Sequence, residues 1–547
     1  MDTFTDFSKV LHSSLDAQTT LRCSRWATKY RVMGEPFSGP YSFLHHPWAE
    51  QPHDDNHEFI AVMKGAQLGW TEWAINRTLF TLDQLKRNVA YILPTERPSA
   101  VNFSKGRINT VCELSSYFAT LFNKSNSETH KVTKYGNNLY MRGANSRSGI
   151  KEYSVSLMVL DEVDEMSFEA IGLAKERLSG QPDGKRQLLM LSTPSTEGKG
   201  IHNQFQDSTQ SKFVFKCPYC NKYISFEYPQ SLVITADSVT DPNIENSYYI
   251  CYDCKHKIDQ NSKQELYKNS LWIDSYPDRP IKGYQVSQLY SCAIGPNVIA
   301  KAEVQGRYNI ALKTEFYNSK LGQAFVAEGA SISQKDINEC IGGHSNGDIK
   351  QKRDLLVTMG IDVGQAKHHV SIVGWNLTSS SRDIVEASEG KLLYFGTVDN
   401  FGEADDLMQM WQPRRIVIDA QPDTKNSIML CKKYNGICFV CYYSLSKIIK
   451  QIVMGNVNDC SVSVSRTYWL DSVLGKVRNK SILFPSDLNI EYQNHLKALA
   501  KTYKNDDEGN PYNEFVKKES ASDHYYHSLT YATIALGLCA GSGDNIE

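Results

Sequence analysis

The sequence predicts an α/β protein of two domains with a small cysteine-bearing β unit between them. Three observations lead there. Short apolar runs alternate with longer helical patterns from Phe59 onward and again from Leu355, as in parallel sheets flanked by helices. Two Cys-x₂-Cys pairs fall between those stretches. A polar, glycine-containing stretch over 336–352 precedes the second pattern and reads as a domain boundary. At 547 residues the chain is too long for one core, and 41% hydrophobic with 22% charged residues is ordinary globular composition.

Taken in order, residues 1–55 form an aromatic-rich, irregular N-terminal segment with Trp26, Tyr30, Tyr41 and Trp48 among prolines and glycines. Residues 56–210 form the first α/β core. Its strands are expected at 59–63, 88–93, 154–160 and 186–191, and its helices at 70–82, 96–111 and 168–178. A hairpin is expected over 131–141, turning at Gly136-Asn137-Asn138. Residues 211–290 read as the cysteine-bearing linking unit and 291–352 as linker helices. Residues 353–547 form the second α/β domain and a C-terminal tail. Strands are expected there at 355–361, 369–375, 391–398, 415–418 and 436–442, and a last helix over 520–538.

Composition removes several classes. The N-terminus lacks the basic and apolar regions of a signal peptide, and apolar runs such as 155–160 are too short to span a bilayer. A cytoplasmic protein without a membrane partner is expected. Thirteen cysteines is an odd number, and Cys438 and Cys441 sit among apolar residues as reduced core thiols do. The net charge of −2 gives no global basic field, so any nucleic acid must be held by local patches or by several subunits together.

After the first strand comes Lys64-Gly65-Ala66-Gln67-Leu68-Gly69-Trp70-Thr71, opening a helix. Backbone N–H groups of such a turn can cradle phosphates, helped by the helix N-terminus. A Walker A loop has lysine just before the Ser/Thr, and here Trp70 holds that position. Lys64, at the front of the loop, has the length to reach the β- and γ-phosphates, and Thr71 is placed to bind Mg²⁺. Alone, the loop reads better as a plain glycine turn between strand and helix. The next motif changes that: an apolar strand delivers Asp161 and Glu162 at its end, the first suited to hold Mg²⁺ and the second to activate water. Asp164 and Glu165 extend the run as structural or solvated groups. One strand later, Ser192-Thr193-Pro194 forms a polar strand end where the γ-phosphate state could be sensed.

These three motifs resemble the large subunit of phage terminases, specifically the lambda-like (GpA-type) family. That family commonly carries its loop lysine at the front, as Lys64 stands here. The resemblance implies an ASCE-type P-loop NTPase using ATP with Mg²⁺. It makes Lys64–Thr71 and Asp161 the nucleotide site, Glu162 the catalytic base, and Ser192 and Thr193 the coupling motif. Two positions depart from the pattern. Glu72 stands where relatives are often basic, and Gln67 where many carry a candidate arginine finger. Arg142 and Arg147 are the remaining candidates for the finger.

Cys217-Pro218-Tyr219-Cys220 and Cys251-Tyr252-Asp253-Cys254 can each sit on a tight knuckle, and together they supply four thiolates for a structural Zn²⁺. A redox pair is the competing reading, against which the doubling of the motif counts. Lambda-like terminases can carry such a zinc ribbon between motor and nuclease.

In the second domain Asp362 ends an apolar strand between Gly360 and Gly364, as a ligand-approaching loop would. Asp419 ends another strand, and Asp523 opens the last helix with His527 one turn on. Two strand-end aspartates and a helix aspartate look like an RNase H-like nuclease, in which carboxylates holding Mg²⁺ or Mn²⁺ activate water against a phosphodiester. His527, Asp423 and Asp405 are weaker candidates. Together the resemblance implies a DNA-packaging motor that translocates double-stranded DNA into procapsids with ATP and cuts concatemeric DNA. It also implies a homo-oligomeric ring at the portal vertex in the host cytoplasm, with a small terminase subunit and the portal protein as partners. Basic stretches at 447–450 and at Lys517-Lys518 could line a shared channel. A helicase–nuclease of repair or plasmid origin is the alternative, but no further helicase motif follows Pro194. A non-catalytic scaffold held by zinc would leave Asp161, Glu162 and the three aspartates without a purpose.

Overall fold

The structure, a computed structural model, describes residues 22–122, 125–144, 150, 153–167, 169–327, 329–377, 384–444, 452–455, 460–505, 511–518 and 521–541. Arg147, the 447–450 stretch, Ser520 and the tail beyond 541 lie outside these. The chain divides into two compact units, Met1–Phe325 and Val326–Glu547.

The first unit is built on seven strands: β1 (Phe59–Lys64), β2 (Val89–Leu93), β3 (Asn138–Gly143), β4 (Leu157–Asp161), β5 (Gln187–Ser192), β6 (Ser211–Lys216) and β7 (Ile281–Val286). Their order is β6-β7-β1-β5-β4-β2-β3, and every neighbouring pair is parallel. Short antiparallel strands extend both edges, His130–Val132 on β3 and both Tyr223–Ile224 and Leu271–Ile273 on β6. β2 and β4 are buried at every residue, which is why they read as unbroken apolar runs rather than alternating ones. The order also sets β5 between β1 and β4, so the loop strand, the Ser192 strand and the acidic strand end side by side.

Helix α1 (Trp70–Asp83) follows β1 and is buried along most of its length. It is covered by the described part of the N-terminal segment, which holds helical turns where irregular structure was expected. Cys23–Tyr30 is a helix, and its Trp26 is fully buried and donates from Nε1 to Asp83 Oδ2 at 3.0 Å. Such an indole combines a large apolar area with one polar atom that needs a partner. Proline and glycine content hid this packing role. The edge hairpin turns earlier than expected. Thr133 N–H donates to Asn137 O and Gly136 has φ +90°, so Asn138 already belongs to β3. Beyond the cysteine-bearing region, Pro296–Tyr308 and Ile310–Glu315 are helical, broken where the Asn309 side chain caps Ala311 and Leu312 N–H.

The second unit holds β8 (Leu356–Asp362), β9 (His368–Asn376), β10 (Glu389–Val398), β11 (Arg415–Asp419), β12 (Cys438–Ser444) and β13 (Ser461–Ser465). The order is β13-β12-β11-β8-β9-β10. β8, β9 and β10 are antiparallel neighbours, while β8, β11, β12 and β13 run parallel. Helix α2 (His524–Gly541) packs on β8, β9 and β11. Its approach to β8 is set by Gly360, where a Cβ would stand 2.0 Å from Ser528 O and 2.3 Å from Ala532 N. Gly360 thus serves a helix crossing, not the ligand approach expected of it. Thr358 Oγ1 donates to Ala532 O at 2.8 Å and Ser371 Oγ lies 2.7 Å from Ser528 Oγ, fixing the helix's register.

Candidate functional site

The loop after β1 is shaped by left-handed backbone at Gln67 (φ +57°) and Gly69 (φ +78°). A Cβ on Gly69 would meet the His46 ring at 2.8 Å, so only glycine fits there. The start of the loop is tied down by the protein itself. Gly65 N–H donates to Val286 O and Ala66 N–H to Ser319 O, at 2.9 and 2.7 Å, while Gln288 Nε2 donates to Ala66 O at 2.9 Å. Leu68 O accepts from Trp48 Nε1 at 3.0 Å. The later N–H groups, at the start of α1, remain the ones suited to an anion. Trp70 turns away into the core, packed against Trp73, Trp272 and Tyr284. It occupies the lysine's place in sequence but supplies no charge.

The charge comes from Lys64, nearly buried at the end of β1, whose Nζ lies 3.3 Å from Glu162 Oε1. Asp161 ends β4 and is fully buried; Tyr91 on the neighbouring β2 donates its hydroxyl to Asp161 Oδ2 at 2.6 Å. Asp161 Oδ1 has no partner. Burial and the adjacent Glu162 carboxylate push the Asp161 pKa up to about 6. An unpaired, buried carboxylate oxygen beside a lysine is a fit for a hard cation carrying phosphates. Glu162 itself adopts left-handed backbone, φ +62°, and its side chain is partly exposed.

Ser192, buried at the end of β5, accepts Asp164 N–H at 3.2 Å and donates to Thr193 O at 2.9 Å, while Glu162 N–H donates to Leu191 O. The end of β5 therefore grips the loop that carries the acidic pair. Asp164 accepts from Ser195 N–H and Oγ and from Ile201 N–H, at 2.6–2.8 Å, and is structural. Arg142 spends its guanidinium on Tyr153 Oη and Thr129 O. Glu72 pairs with buried Arg31 and with Arg107.

The four cysteines come together. Cys217 and Cys254 Sγ are 3.7 Å apart, Cys220 and Cys251 Sγ 3.9 Å, and all four lie within 4.8 Å of one another. The two knuckles are built alike. Cys217 N–H donates to Lys222 O and Cys251 N–H to His256 O, and each knuckle closes on a left-handed residue, Asn221 and Lys255. Four sulfurs at this separation fit a tetrahedral Zn²⁺.

In the second unit, Asp362 at the end of β8 is buried and its Oδ2 lies 2.7 Å from His524 Nδ1. Asp419, at the end of β11, has its pKa pushed up to about 6, by burial first and then by the Asp362 charge. Asp523 stands one residue before α2 rather than inside it, its carbonyl accepting His527 N–H. Its carboxylate pairs with His527 at 3.3 Å and Lys517 at 3.4 Å, partners that hold its pKa well below the usual range against the effect of burial. Among the described residues of this unit, the side chains whose ligand atoms lie within 4.8 Å of one another are Asp362, His369 and His524; Asp419 and Asp523 do not join that set. Asp423 caps the Thr424–Lys433 helix, and Asp405 pairs with Lys433 and Tyr434. His369, His524 and Tyr91 were not singled out from sequence, although His524 follows Asp523 directly and His369 is fixed opposite Asp362 by the β8–β9 register.

A mostly parallel sheet with an extra strand between the loop strand and the acidic strand defines the first unit as an α/β fold of the ATPase class. Residues 38–272 match the model of the family described as phage terminase large subunit gpA, ATPase domain. No curated protein matches the chain. Among solved structures, the large terminase of bacteriophage HK97 is similar at 10% identity and a TM-score of 0.49, over 95% of this chain and 99% of that one. The large terminase of the thermophilic bacteriophage D6E is similar at 11% identity and 0.30, over 88% and 94%. The large terminase nuclease of thermophilic phage G20c is similar at 11% and 0.23, over 36% and 94%.

Proposed function

We propose that the chain is a viral DNA-packaging motor, in which the first unit hydrolyses ATP to translocate double-stranded DNA and the second is an RNase H-like nuclease that cuts it. The observation that carries the motor is the Lys64–Glu162 pair at 3.3 Å beside buried Asp161, on strand ends flanking β5. Mg²⁺ held by Thr71 and Asp161 would neutralise charge developing on the transferred phosphoryl group. Lys64 leaves Glu162 to meet the β- and γ-phosphates, and Glu162, released, takes the proton of the attacking water. Ser192, bonded to the backbone of Asp164, passes the change in that loop to β5 and the Thr193-Pro194 turn. In the nuclease, Asp362, Asp419 and Asp523 would hold divalent ions, whose chemistry would be to activate water and stabilise the leaving oxygen. What supports this is the β10-β9-β8-β11-β12 order, which is that of the RNase H fold, with Asp362 and Asp419 at the ends of adjacent parallel strands. The cysteine quartet holds a structural zinc. As in the family, the motor works as a ring at the procapsid portal in the host cytoplasm, supplied by a small terminase subunit.

The test assays DNA-stimulated ATP hydrolysis and Mn²⁺-dependent plasmid cutting on the full chain. Glu162→Ala is expected to lose hydrolysis and keep cutting, and Asp362→Ala to do the reverse. Retention of both activities by both variants overturns the site assignments.

A further inference from the structure

Asp362 and His369 face each other directly across β8 and β9, and α2 delivers His524 onto the same spot. One ligand atom from each of the three lies within 4.8 Å of the others. His369 is buried, and its Nδ1 has no hydrogen-bond partner. A buried imidazole nitrogen left unpaired costs free energy unless something else meets it. His495 closes the wall, its Nδ1 accepting Tyr525 N–H, with its ring centroid 5.5 Å from that of His369.

We propose that Asp362, His369 and His524 bind one first-row transition ion through a carboxylate oxygen and two imidazole nitrogens, and that this selects Mn²⁺ over Mg²⁺ at the nuclease centre. The proposal rests on the nuclease reading of the second unit. Its chemistry is that of the donor set. Mg²⁺ keeps to oxygen ligands and holds its waters, whereas imidazole suits the transition ions and the two-His-one-carboxylate face is a known host for them. The rings of His369 and His524 stack at 4.5 Å and 11°, so one must turn for both lone pairs to meet a single ion. His524 is the one with room, being at the first residue of α2 with its side chain 41% exposed.

The experiment is Mn²⁺ binding followed by electron paramagnetic resonance, on the full chain carrying Asp161→Asn so that the motor site does not take the ion. Pulsed spectra of the bound ion are expected to show nitrogen couplings from two imidazoles, and His369→Gln and His524→Gln each to lose one. Each variant is expected to weaken Mn²⁺ at least tenfold while leaving Mg²⁺ competition within twofold. Should either variant fail to fold, the nitrogen couplings of the otherwise unchanged protein still decide. Their absence, or equal affinity for Mg²⁺ and Mn²⁺, overturns the proposal. Cutting that survives Asp362→Ala overturns the nuclease reading instead, so the two failures are distinguishable.

Discussion

Asp419→Asn is expected to stabilise the second unit while removing one of its proposed metal ligands. The pKa of Asp419 rises from 3.8 to about 6 in the folded chain, because burial and the Asp362 charge disfavour its ionised form. At about 1.4 kcal/mol per unit, the ionised group costs the fold about 3 kcal/mol at neutral pH. The sign follows from proton linkage: between these pKa values the folded state holds more protons than the unfolded one, so stability falls as pH rises. The contribution is whole below pH 3.8 and is lost as pH passes about 6. Asparagine keeps an oxygen for Gln421 N–H, which donates to Asp419 Oδ1 at 3.2 Å, but gives up about 1 kcal/mol of charge assistance. The net gain at pH 7.5 is about 2 kcal/mol, or roughly 4–8 °C in the unfolding of a unit this size. At pH 4.5 the charge penalty has shrunk to about 1 kcal/mol and the gain vanishes. Thermal scans of both proteins in EDTA at the two pH values measure this, and added Mn²⁺ should raise the wild type more than the variant. No gain at pH 7.5, or an equal gain at pH 4.5, refutes the argument.

Four further outcomes are expected. Tyr91→Phe removes the hydroxyl bonded to Asp161 Oδ2 and leaves both oxygens of a buried carboxylate unpaired; urea denaturation should show a loss of about 1.5–3 kcal/mol. Cys251→Ser takes a buried thiol from the quartet, so zinc measured by atomic absorption should fall from about one ion per chain, and Tm should fall with it. Gly360→Ala places a methyl 2.0 Å from Ser528 O, forcing α2 off β8 at a cost of about 3 kcal/mol or more. Gly172→Ala, inside the Glu169–Leu178 helix with nothing within 4 Å of the new methyl, should instead gain about 0.5–1 kcal/mol by the same denaturation assay.

The sheet was legible in the sequence because buried parallel strands are apolar throughout, and β1, β2, β4 and β5 each end on a polar residue or turn that breaks the run. The cysteine knuckles were legible because their spacing alone dictates the turn. Pairings that depend on register or packing were not. His369 meets Asp362 through the β8–β9 register, and a slip of one residue would place His368 or Val370 there instead. Tyr91 reads as a core aromatic in a run of Val, Ala, Ile and Leu, and its hydroxyl finds Asp161 only through strand order. Trp70 stands in a lysine's place, and only the packing of Trp73 and Tyr284 shows that it faces inward. Gly360 sits two residues before a candidate ligand, which suggested a ligand loop, yet its need is helix α2 far along the chain, a long-range contact that local pattern does not carry.

The two candidate centres share a physical plan. In each, a carboxylate at the end of a central strand is buried beside a second one, Asp161 by Glu162 and Asp419 by Asp362, and its pKa is pushed up to about 6. In each, one cationic or protonatable side chain offsets part of that charge, Lys64 at 3.3 Å from Glu162 and His524 at 2.7 Å from Asp362. Neither partner satisfies the centre fully, since Asp161 Oδ1 and His369 Nδ1 remain unpaired. A fold selected for stability alone would replace such groups with apolar ones, so their presence marks places where stability is given up for binding. A bound cation would relieve both the repulsion and the unpaired atoms, and ligand-free protein would then be the less stable form. Mg²⁺ with a non-hydrolysable ATP analogue should therefore raise the unfolding temperature of the first unit, and Mn²⁺ that of the second. The Asp161→Asn and Asp362→Asn variants should each abolish one shift and leave the other.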